Sequence, residues 1–157
     1  MVFAVLHAAR ALLWPADDGA GPPAVLLVLG GVRARELAAV AAAATSAAIV
    51  SSPAASDEEL LAAAPSGVRV FVGRAATCTV SNFTTLVADL RAAGVRRVEL
   101  ATSAAHCRRA AAAGRVVLGS ADIRITAVHP VPDGTARPES ALHCVRDVVR
   151  ALLWAAF

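Results

Sequence analysis

Ala24 to Leu29 reads AVLLVL, six apolar residues in a row that end at Gly30-Gly31. An uninterrupted run of strand length fits a parallel sheet covered on both faces, because neither side of such a strand could face water. The rest of the chain repeats that theme. Val32 to Ala44 is helical by composition, and Ala47 to Ser51 (AAIVS) gives a second strand. Pro53 to Ser56 breaks the chain before Asp57 to Ala64 (DEELLAAA), a short helix whose first-turn acids favour the macrodipole. Val68 to Val72 (VRVFV) supplies a third strand, Arg97 to Ala101 (RVELA) a fourth and Ile123 to Val128 (IRITAV) a fifth. Strands alternating with helices at this spacing predict a single three-layer α/β sandwich with a mainly parallel sheet of about five strands.

Cys78 to Ala110 carries the densest signal. Phe83, Leu86, Val87 and Leu90 fall at i, i+3, i+4 and i+7, one buried face of a helix. Gly94 stops that helix by adopting a left-handed turn. Thr102 and Ser103 end the fourth strand, and Ser103 is placed to cap a helix beginning AAHCRRAAAA. Polar residues thus gather at two helix starts, Thr79, Ser81 and Asn82 at one, Ser103 and His106 at the other.

In open α/β sheets ligands bind outside the carboxyl ends of the strands, near a switch in strand order. Gly30-Gly31, Thr79 to Asn82 and Thr102 to His106 should converge there. Helix N-termini present unpaired N–H groups and partial positive charge, so an anion is a natural guest. Gly30 and Gly31 let backbone approach it, Asn82 and Ser103 position it, and His106 and Arg109 add donors. Each residue also has a plainer role: a tight turn for Gly-Gly, a cap for Asn82 and Ser103, a structural ring for His106, a solvated pair for Arg35-Glu36.

The same elements carry a resemblance. Val28-Leu29-Gly30-Gly31 with Arg35-Glu36, then Thr79 with Asn82, then Thr102-Ser103 with His106, Arg109 and Ala110, resemble the YdcF/ElyC/SanA-like family (domain of unknown function 218). The likeness is to its cyanobacterial and plastid-type branch and covers roughly Ala24 to the C-terminus. It implies a Rossmann-like domain over residues 24–157 and a pocket for a small anionic or nucleotide-like ligand. The pocket would be lined by Gly30, Gly31, Arg35, Glu36, Thr79, Asn82, Thr102, Ser103, His106 and Arg109. One branch of the family is linked to S-adenosylmethionine, another to envelope-glycan or lipid-carrier metabolism. This chain departs from the family's pattern at Pro53, where Gly is usual, at Cys78, where an acid is usual, and at Ala104 and Ala105. Those departures remove the obvious general base or metal-binding carboxylates, so no catalytic set is evident and enzymatic activity stays open. The expectation is a ligand-binding protein. The alternatives are an active transferase or hydrolase on a phosphorylated or envelope-lipid-related substrate, and a membrane-surface accessory protein.

Composition sets the outer bounds. A length of 157 residues suits one domain, and 57% hydrophobic against 17% charged residues argues against disorder. A net charge of +3 without a basic block or aromatic–basic interleaving makes nucleic acid a poor partner. Cys78, Cys107 and Cys144 lack C-x-x-C spacing, and adjacent His106 and Cys107 point about 100° apart on a helix, so no metal site is expected. Their odd number predicts free thiols in a reducing compartment.

Val2 to Trp14 is apolar but holds His7 and Arg10 and stops at Pro15. It is shorter than the roughly 20 residues of a membrane span and lacks the features of a signal peptide. It reads as an amphipathic helix docked on the domain, with contact to a membrane surface as the alternative. Pro15 to Pro23 is a linker, so residues 1–23 form helix and linker ahead of the domain. A soluble protein of the cytoplasm or an organellar stroma is expected, a peripheral membrane protein being the alternative. After a Pro/Gly loop from Pro130 to Pro138, Ser140 to Ala155 closes the chain as an amphipathic helix. Leu142, Val145, Val149 and Leu152 share one side of it, leaving Arg146, Asp147 and Arg150 to solvent.

Overall fold

The computed structural model describes residues 24–132 and 140–156. The helix and linker expected over residues 1–23, and residues 133–138 of the expected loop, lie outside the described residues. Strands β1 (Val25–Leu29), β2 (Ala47–Ser51), β3 (Arg69–Gly73), β4 (Arg97–Ser103) and β5 (Arg124–Val131) form one sheet in the order β3-β2-β1-β4-β5. Every neighbouring pair is parallel. Helices α1 (Arg33–Ala41), α2 (Asp57–Ala63), α3 (Ser81–Thr84), α4 (Val87–Ala92), α5 (Cys107–Ser120) and α6 (Ala141–Ala156) fill the connections. The fold is the Rossmann-like α/β sandwich that the sequence pattern predicts.

β1 is buried along its whole length, as its unbroken apolar run requires. Leu26 and Val28 turn to one layer, with Val40, Val50 and Leu60. Leu27 and Leu29 turn to the other, with Phe83, Leu90, Leu100 and Val117. Local signals set the ends of several elements. At α2, Ser56 Oγ accepts from the Glu59 N–H (3.2 Å) while the Glu59 carboxylate accepts from the Ser56 N–H (3.0 Å), a reciprocal capping box. At the end of α4, Gly94 sits at φ +69°, and the Val95 N–H reaches the Leu90 carbonyl (2.9 Å). That is the glycine-terminated helix end expected there.

The structure differs from the sequence reading in four places. The helix expected from Phe83 to Leu90 is two short helices, broken at Thr85-Leu86, although Phe83, Leu86 and Leu90 are all buried as the spacing requires. β4 continues through Thr102 and Ser103, so α5 starts at Cys107. Ser103 therefore caps nothing: His106 holds the N-cap position, and the Ser103 hydroxyl is buried without a hydrogen-bond partner among the described residues. β5 runs on through Pro130 to Val131, which is possible because β5 is an edge strand whose outer side needs no ladder hydrogen bond.

The fourth difference is the largest. In α6, Asp147 is 2% exposed and Ala151 fully buried, whereas Leu142, Val145 and Val149 stand in solvent. A buried carboxylate needs partners. Asp147 finds them in Arg109 on α5 and Arg146 one residue back, and that pairing goes with the inward turn of the narrow Asp147–Ala151 side.

Candidate functional site

The strand order reverses between β1 and β4, and the chain segments leaving those two strands frame a cleft. Leu29 and Ser51 end β1 and β2, and Thr102, one residue before the end of β4, shares their face of the sheet, since Leu29 pairs with Ser51 and Val28 with Ala101. Above them lies an open cavity of about 230 Å³. Gly30, Gly31 and Arg35 line its α1 side, Thr79 and Asn82 the α3 side, and Thr102, His106 and Arg109 the α5 side. Eight of the ten site residues expected from sequence thus share one cavity, with Leu29, Val32 and Ala110 completing its wall. Glu36 and Ser103 are not among the lining residues.

Glu36 has a different task. It is fully buried, and its two carboxylate oxygens accept from the N–H groups of Gly31 (2.6 Å), Val32 (3.1 Å), Ala54 (2.9 Å) and Ala55 (2.8 Å). It ties the turn after β1 to the turn after β2 and occupies the Gly31 and Val32 N–H groups just ahead of α1. The Gly30 N–H is likewise used, donating to the Ser51 carbonyl (2.8 Å). The Gly-Gly turn is therefore a wall of the cleft, with its N–H groups turned to the protein itself. Gly30 is required by that close approach: a Cβ there would sit 2.3 Å from the Ser52 carbonyl oxygen. Arg35, 4% exposed, donates to the carbonyls of Leu29 (3.1 Å) and Gly30 (2.8 Å) and braces the same turn from behind.

On the α3 side, Ser81 Oγ accepts from the N–H groups of Thr77 and Cys78, both at 2.8 Å, and so folds the loop that carries Thr79. The Ser51 hydroxyl, 1% exposed, donates to Asn82 Oδ1 (2.8 Å). That bond leaves the Asn82 amide N–H group as the end available to a ligand. On the α5 side, His106 Nδ1 lies 3.4 Å from Arg109, and Arg109 reaches Asp147 Oδ2 at 3.3 Å. Sequence reasoning missed both supports. Ser51 is a polar residue closing an apolar strand at the ligand-binding edge, a signal that was readable. Asp147 is the one acid of α6, which its spacing alone assigns to solvent.

The thiols at the two helix starts differ. Burial works to raise the Cys78 thiol, but hydrogen bonds from Ser81, the Val80 amide and the charge of Arg150 outweigh it, and the thiol sits below its ordinary value. Burial alone pushes the Cys107 thiol up. All three cysteines are free. Among the described residues no three His, Cys, Asp or Glu side chains gather as a metal site, and no helix is long and apolar enough to cross a membrane.

Fold and cleft together define a class: a Rossmann-like α/β protein with a polar cavity at the switch in strand order. No protein-family model, curated protein or solved structure matches the chain.

Proposed function

We propose that this cleft binds a small anionic or nucleotide-like ligand at the start of α5. The observation that carries the reading is the composition of the cavity wall. Among the described residues, Asn82, His106, Arg109 and Arg35 line it together with two threonines, and no carboxylate does. A cavity wall rich in donors favours a negative guest. Its position beside a helix start at the carboxyl edge of the sheet supports the same reading. The resemblance to the YdcF/ElyC/SanA-like family, carried by the same residues, makes S-adenosylmethionine and phosphate-bearing metabolites, including envelope-lipid intermediates, the ligands to try. Among the described lining residues His106 is the one suited to general acid–base work, which keeps binding as the first reading and catalysis as the second.

Isothermal titration calorimetry with inorganic phosphate, nucleoside phosphates and S-adenosylmethionine tests this. At least one should bind, and more weakly as salt rises. His106→Ala and Asn82→Ala should each reduce affinity, the former by roughly 1.5–3 kcal/mol if the ring donates to a charged group. If none of the three classes binds, or both variants bind as well as the parent, the cleft is not the site.

A further inference from the structure

Helix α6 is apolar on two sides. Ala151, Leu152 and Ala155 pack on the core of the domain, and Asp147 is buried on the same side. On the outer side Leu142, Val145, Val149 and Leu153 are 79, 60, 48 and 57% exposed. At about 100° per residue these four fall within an arc of roughly 80°. Arg146, Arg150 and Trp154, all exposed, follow on one flank of that arc. We propose that this face of α6 docks on an anionic lipid surface, with the Leu/Val stripe at the headgroup boundary and the arginines on the lipid phosphates.

An exposed apolar row marks a contact surface, and the charge beside it selects the occupant. The one acid of α6, Asp147, is 2% exposed, so every charge that the helix presents outward is positive. A long arginine side chain can rest its stem on apolar surface and lift its charge to a phosphate. Trp154 adds an indole, a ring that favours the same boundary between hydrocarbon and water. Helices built this way lie in the plane of a bilayer, held by buried apolar area and by attraction to anionic lipids. At 16 residues α6 is long enough to lie there and too short to cross. A second copy fits less well. Two facing α6 stripes would bring together arginines and no exposed acid. One helix stripe about 10 Å wide also offers only on the order of a few hundred Å², well under the roughly 800 Å² per partner of a stable complex. A protein partner would have to supply both an apolar groove and a row of acids, whereas an anionic bilayer presents hydrocarbon and negative charge at every point.

Flotation of the full chain with vesicles of phosphatidylcholine, with and without phosphatidylglycerol, tests the proposal. The protein should float with the mixed vesicles, stay behind with phosphatidylcholine alone, and be released as salt rises. Val149→Asp should lower the partition coefficient at least tenfold. Arg150→Gln should lower it about fivefold, the scale of one cation at an anionic surface; Arg146 is the poorer choice because it also pairs with Asp147. Leu142→Ser, at the most exposed position of the stripe, should weaken partition too and serves if Val149→Asp does not fold by circular dichroism. Trp14→Phe leaves Trp154 as the single indole, and vesicles of brominated lipid should quench its fluorescence. The proposal is overturned if the chain does not float with mixed vesicles, or floats equally well with phosphatidylcholine alone. It is also overturned if Trp154 escapes quenching or the stripe variants float like the parent, which assigns the contact to another surface. A dimer seen by light scattering in the parent and lost in Val149→Asp likewise overturns it and assigns the stripe to a second copy.

Discussion

Just ahead of α1 a buried carboxylate, Glu36, accepts from the Gly31 and Val32 N–H groups and from Ala54 and Ala55 in the next turn, whereas the described residues place no carboxylate on the N–H groups ahead of α5. Both starts follow a strand at the switch point, and both would be eligible for an anion from topology alone. The difference between them is that α1 already holds its anion. Glu36 stands four residues into the chain after Val32, close enough to fold back onto its own helix start and onto the neighbouring loop. An external ligand at α1 would have to displace a carboxylate bonded on both oxygens. At α5 the same dipole is met by His106 and Arg109 instead. The lesson is that a helix N-terminus at the right edge of a sheet is a site only where the chain has not filled it.

The contrast breaks most visibly at Glu36. Glu36→Ala leaves buried donors of two turns without an acceptor and should cost about 3–5 kcal/mol, the range for removing one member of a buried charged network. Glu36→Gln keeps one oxygen and should cost roughly half as much. Urea denaturation with tryptophan fluorescence measures both. A loss under about 1 kcal/mol for the alanine variant would mean that water replaces the carboxylate and that α1 is as open as α5.

The next effect is on α5. Asp147 lies against Arg109 and offsets its charge, so Asp147→Asn should strengthen phosphate binding by about 1–2 kcal/mol, the scale of one unit charge several ångströms away in partly screened surroundings. The same change should lower stability by about 1–3 kcal/mol, because α6 loses its buried ion pair. Arg109→Ala should weaken both binding and stability. Its contact with a nearly inaccessible Asp147 makes Arg109 part of the α5–α6 joint as well as of the cleft wall. Unchanged phosphate affinity in Asp147→Asn would separate Arg109 from the ligand.

How far the sequence reaches follows from which interactions are local. β1 and β2 are readable because six and five residues in a row leave one arrangement open to them. The α4 stop is readable because Gly94 acts within its own turn. The cleft is readable to the extent that strand ends and helix starts must meet at one edge. Glu36 is not: its spacing beside Arg35 suits a solvated pair equally well, and only the approach of Ala54 and Ala55, 18 and 19 residues away, makes it a structural centre. Asp147 fails for the same reason. Its partner lies 38 residues back, and an ion pair across two helices can overrule the spacing of apolar residues on one of them.

The smallest effect sharpens the comparison at a third helix start. Glu59 caps α2 as Glu36 fills α1, but from the surface. The Arg33 guanidinium, which donates to Glu59 Oε1 from Nε at 2.9 Å, and the Ser56 N–H hold its carboxyl down at about 2, against 4.5 ordinarily. A carboxyl depressed in the folded protein adds stability that is complete above its unfolded value and fades as pH falls toward its folded one. Stability should therefore fall between about pH 4.5 and 2 by an amount that Glu59→Gln removes. Salt should erode the Arg33 share, because that pair is exposed, and leave the Ser56 share, because it is a local backbone bond. The test is the urea midpoint against pH for parent and Glu59→Gln at low and high salt. Parallel curves for the two proteins would mean that α2 keeps its start without the carboxylate, in contrast to α1.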